Sequence, residues 1–170
     1  MKPIIIITLL LIQYTYTQNT PADSIKNEQP IYFVDKELPN LQLKPLSGKP
    51  FKLNSLKGQI VVLNWWFTSC LPCKEEIPEL NEIVSKYKRK GIRFIAIARN
   101  TESDLKKYLT GNVFKYEHTL TTDSIHKILD DRFPRNIIIN KNGVVVFDRI
   151  GYSAMNAEYI TNTINSLLKQ

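Results

Sequence analysis

Cysteine is scarce here: Cys70 and Cys73 are the only two thiols in 170 residues. So few, so close together, exclude a disulfide-stapled scaffold, because closing a tiny loop removes little entropy from the unfolded chain. The pair therefore points to chemistry rather than architecture. Histidine is equally scarce, with His118 and His126 alone. CxxC is also half of a zinc site, but zinc wants four ligands and these two histidines fall on separate expected elements. No metal is expected, and no cofactor beyond the thiols themselves. No apolar stretch reaches the ~20 residues that a bilayer-spanning helix needs. Positive charge is spread too thinly for a nucleic-acid surface: 23 Lys and Arg against 16 Asp and Glu leave +7. Its densest run, Lys86 to Lys90, closes an expected helix, where cations complement the dipole. Nucleic acid is not an expected partner.

What is present fits one domain behind an export segment. At 43% hydrophobic and 23% charged, the chain can bury a core without staples. Met1-Lys2-Pro3 followed by Ile4 to Ile12 gives a basic start and a short apolar run, the pattern of a signal peptide over residues 1–17. Thr15-Tyr16-Thr17 offers a small-x-small cleavage pattern, with the mature start near Gln18; an uncleaved N-terminal membrane anchor is the alternative. No cysteine lies there to carry a lipid. The expected location is periplasmic or otherwise extracytoplasmic, an oxidising compartment for the CxxC. Residues 18–37 read as a flexible linker and residues 38–170 as the folded domain.

Within that domain, Leu41 to Leu43 and Phe51 to Leu53 alternate around Ser47-Gly48-Lys49-Pro50, a hairpin pattern. Ile60 to Trp66 reads as a buried, parallel strand. A helix is expected from about Cys70 to Lys90, with Ile77, Leu80, Ile83, Val84 and Tyr87 on one face, a kink at Pro78 and a stop at Gly91. A strand over Ile92 to Ala98, a helix from Ser103 to about Leu109 capped by Ser103, a short strand over Tyr116 to Leu120 and a short helix over Ser124 to Leu129 follow. Arg135 to Asn140 and Val144 to Ile150 flank Lys141-Asn142-Gly143 as an antiparallel hairpin, and Asn156 to Leu168 closes the chain as an amphipathic helix. The order is α/β: a mixed sheet with helices on both faces. The CxxC sits where strand turns into helix, so Cys70 meets the unpaired N–H groups and positive dipole end that favour a thiolate. The thiolate is the form that attacks disulfides.

Asn64-Trp65-Trp66, Cys70-Leu71-Pro72-Cys73-Lys74, Glu76, Pro78, and Phe133-Pro134 ahead of Ile137 to Gly143 together carry a resemblance. The chain from about Leu38 onward resembles the exported TlpA/ResA-like thiol–disulfide oxidoreductases of the thioredoxin fold. That resemblance implies a central mixed sheet flanked by helices on both faces, with an extra N-terminal β-hairpin. Three positions depart from the family's habits: Ser69 before the first cysteine, Arg135 after the proline, and Asn140 at the end of the hairpin strand. All three border the expected docking groove.

The resemblance implies roles. Cys70 would be the attacking nucleophile, exposed at the helix start, and Cys73 the resolving thiol. Glu76, one turn beyond Cys73 on the same helix face, would accept and return a proton, paired with Asn64 as in ResA-like members. Pro134 would be a cis proline facing the disulfide, and Phe133, Pro134 and Trp66 would border docked substrate. Trp65 and the two histidines read as ordinary packing and partly exposed residues. The expected activity is reduction of protein disulfides, with cytochrome c maturation as one setting and a membrane-bound thiol as electron donor. Two alternatives stand beside it. A peroxiredoxin-like peroxidase would want a threonine a few residues before its cysteine in a proline-rich loop; Thr68 is too close. A non-catalytic binding module would use the cysteines only as a disulfide.

Overall fold

Every residue from Ile60 to Trp66 is buried, as a strand covered on both faces requires. Side chains alternate across such a strand. Val61, Leu63 and Trp65 therefore join one core cluster, while Ile60, Val62 and Trp66 join another that also contains Cys70 and Cys73. Asn64 is the lone polar residue in this strand.

In this computed structural model the described residues are 32–170. The expected signal peptide, and the expected linker up to residue 31, lie outside them. The strands are β1 (Gln42–Pro45), β2 (Phe51–Lys52), β3 (Ile60–Trp66), β4 (Ile92–Ala98), β5 (Glu117–Leu120), β6 (Arg135–Ile139) and β7 (Val145–Ile150). The helices are α1 (Leu71–Tyr87), α2 (Glu102–Gly111), α3 (Asp123–Leu129) and α4 (Asn156–Leu167). The sheet runs β2-β1-β5-β4-β3-β6-β7. β3, β4 and β5 are parallel, while β1, β2, β6 and β7 pair antiparallel. Apolar residues of α1, α2 and α4 fill the cluster that holds the cysteines, and those of α3 fill the other. This is the thioredoxin fold, with the β1–β2 hairpin added at one sheet edge. Among the described residues no helix is long and apolar enough to cross a membrane.

Several boundaries differ from expectation for local reasons. α1 ends at Tyr87, short of Lys90, and continues across Pro78. α2 is capped by Thr101, whose hydroxyl accepts from Asp104 N at 3.2 Å, rather than by Ser103. The earlier cap satisfies a first-turn donor and brings Glu102 and Asp104 to the positive helix end. Residues 33–37, expected as linker, are fastened to β7. Asp35 N donates to Val145 O and Val145 N to Lys36 O, each at 2.9 Å. β7 is the last strand of the sheet, and its outer N–H and C=O groups need partners.

Arg135, the first residue of β6, is fully buried and makes a bidentate pair with Asp148 of β7: Nε to Oδ1 and Nη2 to Oδ2, both 2.8 Å. Its Nη1 donates to Leu129 O at 3.1 Å, and Asp148 Oδ2 accepts Phe33 N at 2.8 Å. The pair thus ties β6, β7, the end of α3 and the incoming chain together.

Candidate active site

The site forms where β3 ends and α1 begins. Cys70 is the N-cap of α1, in extended backbone, and its Sγ accepts from Cys73 N at 3.2 Å. Lys74 N closes the first helical bond onto Cys70 O at 3.1 Å. Pro72 lacks an N–H, so it leaves no orphan donor in the first turn. The loop ahead of Cys70 is held by a reciprocal pair: Thr68 N donates to Asn100 Oδ1, and Asn100 Nδ2 to Thr68 Oγ1, both 2.9 Å. Asn100 was not anticipated. An asparagine just past a strand reads as ordinary loop, and only the parallel β3–β4 pairing, with Trp66 opposite Ala98, brings it there.

Cys70 and Cys73 are joined as a disulfide, with Cα atoms 5.3 Å apart. The expected contrast in exposure is absent in this state: Cys70 is 5% exposed and Cys73 1%. The capping geometry turns Cys70 Sγ toward the helix, and the exposed part of the motif is Leu71, at 64%.

Three residues past Cys73 on α1, Glu76 is 2% exposed. Asn64 Nδ2 donates to its Oε1 at 2.6 Å, and Asn136 Nδ2 to its Oε2 at 3.0 Å. Asn64 Nδ2 also donates to Asn136 Oδ1 at 3.0 Å, closing a ring across β3 and β6, where the two asparagines pair directly. Burial disfavours the carboxylate more than the two amides favour it, so the Glu76 carboxyl is pushed up to about 7. Asn136 too was missed. Its signal was legible, since two polar residues, Arg135 and Asn136, open an otherwise apolar strand.

Trp66 requires a correction. It is fully buried, packed edge-on against Tyr108 and Phe114 at 5.4 and 5.2 Å, so it offers no docking surface. Its ring fills the core shared with the cysteines, because it is on the α1 side of β3. His118 packs nearby, its Nε2 3.0 Å from Phe114 O, and burial lowers its proton affinity. Tyr116, entirely buried, is pushed well above its ordinary range by burial and then by Glu76.

The Phe133–Pro134 bond is cis. Register puts Arg135 opposite Trp65, so Pro134 lies at the same end of the sheet as Cys70. Phe133 is half-buried against Phe67 at 4.8 Å and Trp65 at 5.0 Å, with the Arg99 guanidinium 5.9 Å from its ring. Trp65 Nε1 donates to Asp130 O at 2.9 Å, steadying the loop that leads into Phe133. Among the described residues, no three His, Cys, Asp or Glu side chains converge as a metal centre would need. The chemistry present is a two-electron dithiol/disulfide couple at a helix N-terminus, with a buried carboxyl, its pKa raised to about 7, three residues further along the same helix.

Comparison with known proteins agrees with this chemistry. Residues 34–147 match the family model described as the AhpC/TSA family. The chain is 35% identical over 155 residues to the thiol-disulfide oxidoreductase ResA of Bacillus thuringiensis (strain Al Hakam) and, equally, to that of Bacillus anthracis, covering 86% of this chain and 86% of each relative. Among solved structures, the thioredoxin domain of a thiol-disulfide oxidoreductase from Bacteroides vulgatus superposes with a TM-score of 0.70 at 21% identity, over 81% of this chain and 99% of that one.

Proposed function

We propose a specific role for a chain that belongs to the AhpC/TSA family and, within it, to the ResA-like thiol–disulfide oxidoreductases: its Cys70–Cys73 couple acts as an exported reductase of protein disulfides. The observation that carries this reading is the buried Glu76 clasped by two amides on the same helix that the CxxC caps. A disulfide used only as a staple has no need of a carboxyl that titrates near pH 7.

In the reduced enzyme, the Cys70 thiolate attacks one sulfur of a substrate disulfide. The substrate S–S bond breaks, a Cys70–substrate disulfide forms, and the released substrate thiolate takes a proton from solvent. Cys73 then gives its proton to the Glu76 carboxylate and attacks Cys70 Sγ. The mixed disulfide breaks, the Cys70–Cys73 disulfide forms, and the second substrate thiolate leaves. Two electrons have passed to substrate. A thiol donor, membrane-bound in our reading, restores the dithiol and Glu76 returns the proton. Phe133 and the Pro134 backbone edge border the docked segment. The basic, then apolar, start of the sequence supports export, and the cysteines of apocytochrome c are a fitting substrate class for a reductase in an oxidising compartment.

Insulin reduction by dithiothreitol, with and without the protein, tests the activity. Acceleration supports the reading. No acceleration leaves a binding module, and turnover of hydrogen peroxide in place of insulin makes it a peroxidase.

Glu76→Gln keeps the side chain's shape but cannot hold the proton. Exchange should slow roughly 10- to 100-fold, at the low end of general acid–base effects. Stability gives a second reading of the same group. Below about pH 4.5 the folded and unfolded chains both hold this proton; between 4.5 and about 7 only the folded chain does. The unfolded state therefore binds fewer protons there, and stability falls as pH rises through that window, by about 3 kcal/mol in all. Urea unfolding of the oxidised protein at pH 4.5 and 7.5 should show that fall in wild type and not in Glu76→Gln. Equal falls in both would place the proton elsewhere.

Direction follows from electrostatics around Cys70. Strong oxidants hold their attacking thiol far below neutrality. Here the intervening pair is Leu71-Pro72, which brings no cation, and Glu76 opposes a nearby thiolate. Lys74 is exposed and screened. The helix N-terminus remains the main stabilising influence. The couple should equilibrate in glutathione buffers at a potential below roughly −180 mV; a value near roughly −120 mV would make it an oxidase.

A further inference from the structure

We propose that Asn136 is a positioning residue for this enzyme, setting how tightly Glu76 holds its proton by donating to the carboxylate and by fixing which end of the Asn64 amide faces it. The inference rests on the reading of Glu76 as proton carrier and adds to it a residue from a different strand, two positions past Pro134.

The geometry gives Asn136 two separate actions. Its Nδ2 donates to Glu76 Oε2 at 3.0 Å, and a donor to an ionised oxygen favours the ionised form. Its Oδ1 accepts from Asn64 Nδ2 at 3.0 Å, which holds that amide with its NH2 end toward Glu76 Oε1. An amide carries a donor and an acceptor end of nearly equal shape. Without Asn136, Asn64 is free to turn its carbonyl toward Glu76, and a carbonyl can be satisfied only by the protonated acid. Loss of Asn136 therefore removes one donor and releases a second. Loss of Asn64 would leave the Asn136 donor in place. All three side chains are at most 2% exposed, so water does not readily substitute for a missing donor.

Other titratable groups face Glu76 from the surrounding elements. Glu79 and Glu75 lie on α1, Tyr116 immediately precedes β5, Tyr152 follows β7, and the disulfide joins the first turn of α1. Only Glu79 among these raises Glu76 appreciably, and none is bonded to Asn136. None of these groups is removed when Asn136 alone is changed.

The test uses the oxidised protein, whose cysteines do not titrate. With glutamate 13C-labelled at its carboxyl, the Glu76 resonance is identified by its absence from Glu76→Gln and followed against pH. Asn136→Leu should raise its midpoint by at least about one unit, a tenfold tighter hold on the proton. Asn136→Val, smaller and well suited to a strand, carries the same expectation should the leucine variant not fold. In the reduced protein, the pH dependence of disulfide exchange should move in the same direction. A folded Asn136 variant whose melting temperature drops while the Glu76 midpoint stays within about 0.3 units of wild type would leave Asn136 a purely structural residue and overturn the inference. The two readings fail separately: an unchanged exchange rate in Glu76→Gln removes the proton carrier, whereas an unmoved midpoint in the Asn136 variants removes only its positioning residue.

Discussion

Cys70→Ala is expected to lose disulfide exchange entirely, while Cys73→Ala should accumulate mixed disulfides through Cys70. The two thiols share a motif but not an environment. Cys70 caps α1, where its sulfur already accepts the Cys73 N–H at 3.2 Å and meets the positive end of the helix dipole. Cys73 is inside the first turn, 1% exposed, in the core cluster with Trp66 and Ile77. Burial raises a thiol's pKa and blocks access by a bulky substrate, so Cys73 can serve only a sulfur brought to it by Cys70. Because the disulfide form covers Cys70 to 5% exposure, the asymmetry has to be measured on the reduced protein. Alkylation at mildly acidic pH followed by peptide mapping should find Cys70 labelled first. Preferential labelling of Cys73, or retained exchange in Cys70→Ala, would reverse the assignment.

Asp148→Ala is expected to destabilise the fold by about 3–5 kcal/mol, the range for removing one partner of a buried ion pair. Arg135 and Asp148 have fully buried side chains joined by two 2.8 Å bonds. Removing the carboxylate leaves a buried positive charge without the counter-charge of Asp148, and also strips Phe33 N of its acceptor. The midpoint of denaturant unfolding reports this directly. The paired replacement Arg135→Met with Asp148→Leu should recover most of the loss, since apolar side chains of similar volume remove the desolvation cost together with the attraction. A loss under about 1 kcal/mol in Asp148→Ala would mean that the pair behaves like a solvated surface bridge. Arg135 directly follows Pro134, so the same variant should also weaken substrate docking, read as a raised KM for insulin.

The elements of this chain were legible because their signals are local. Seven buried residues in a row make β3, three- and four-residue apolar spacing makes α1, and Lys141-Asn142-Gly143 makes the β6–β7 turn. The CxxC at a strand-to-helix junction was legible for the same reason. Boundaries were less so: Thr101 and Ser103 are both good caps by residue type, and only the backbone geometry, in which the Thr101 hydroxyl accepts Asp104 N, shows which of them begins α2. The departure at Arg135 was visible in sequence, but its meaning was not, since its partner Asp148 lies 13 residues away across the β6–β7 turn.

The sequence by itself determined the order of strands and helices, the redox pair, and the place of Cys70 at a helix N-terminus. Periodicity, turn residues and helix capping act over a few neighbouring residues, and one chain segment contains all the information they use. Only the tertiary structure decided what surrounds that pair. Asn136 is 72 residues from Asn64 and 60 from Glu76, and it reaches them because β6 pairs antiparallel with β3 in one register. A slip of a single residue would turn Asn136 to the opposite face of the sheet and put Arg135 or Ile137 in its place opposite Asn64. Burial of Trp66 and the Arg135–Asp148 ion pair were settled in the same way, by which strands lie side by side. Cross-strand partners are chosen by the global fit of two hydrophobic faces, and no window of sequence contains both of them.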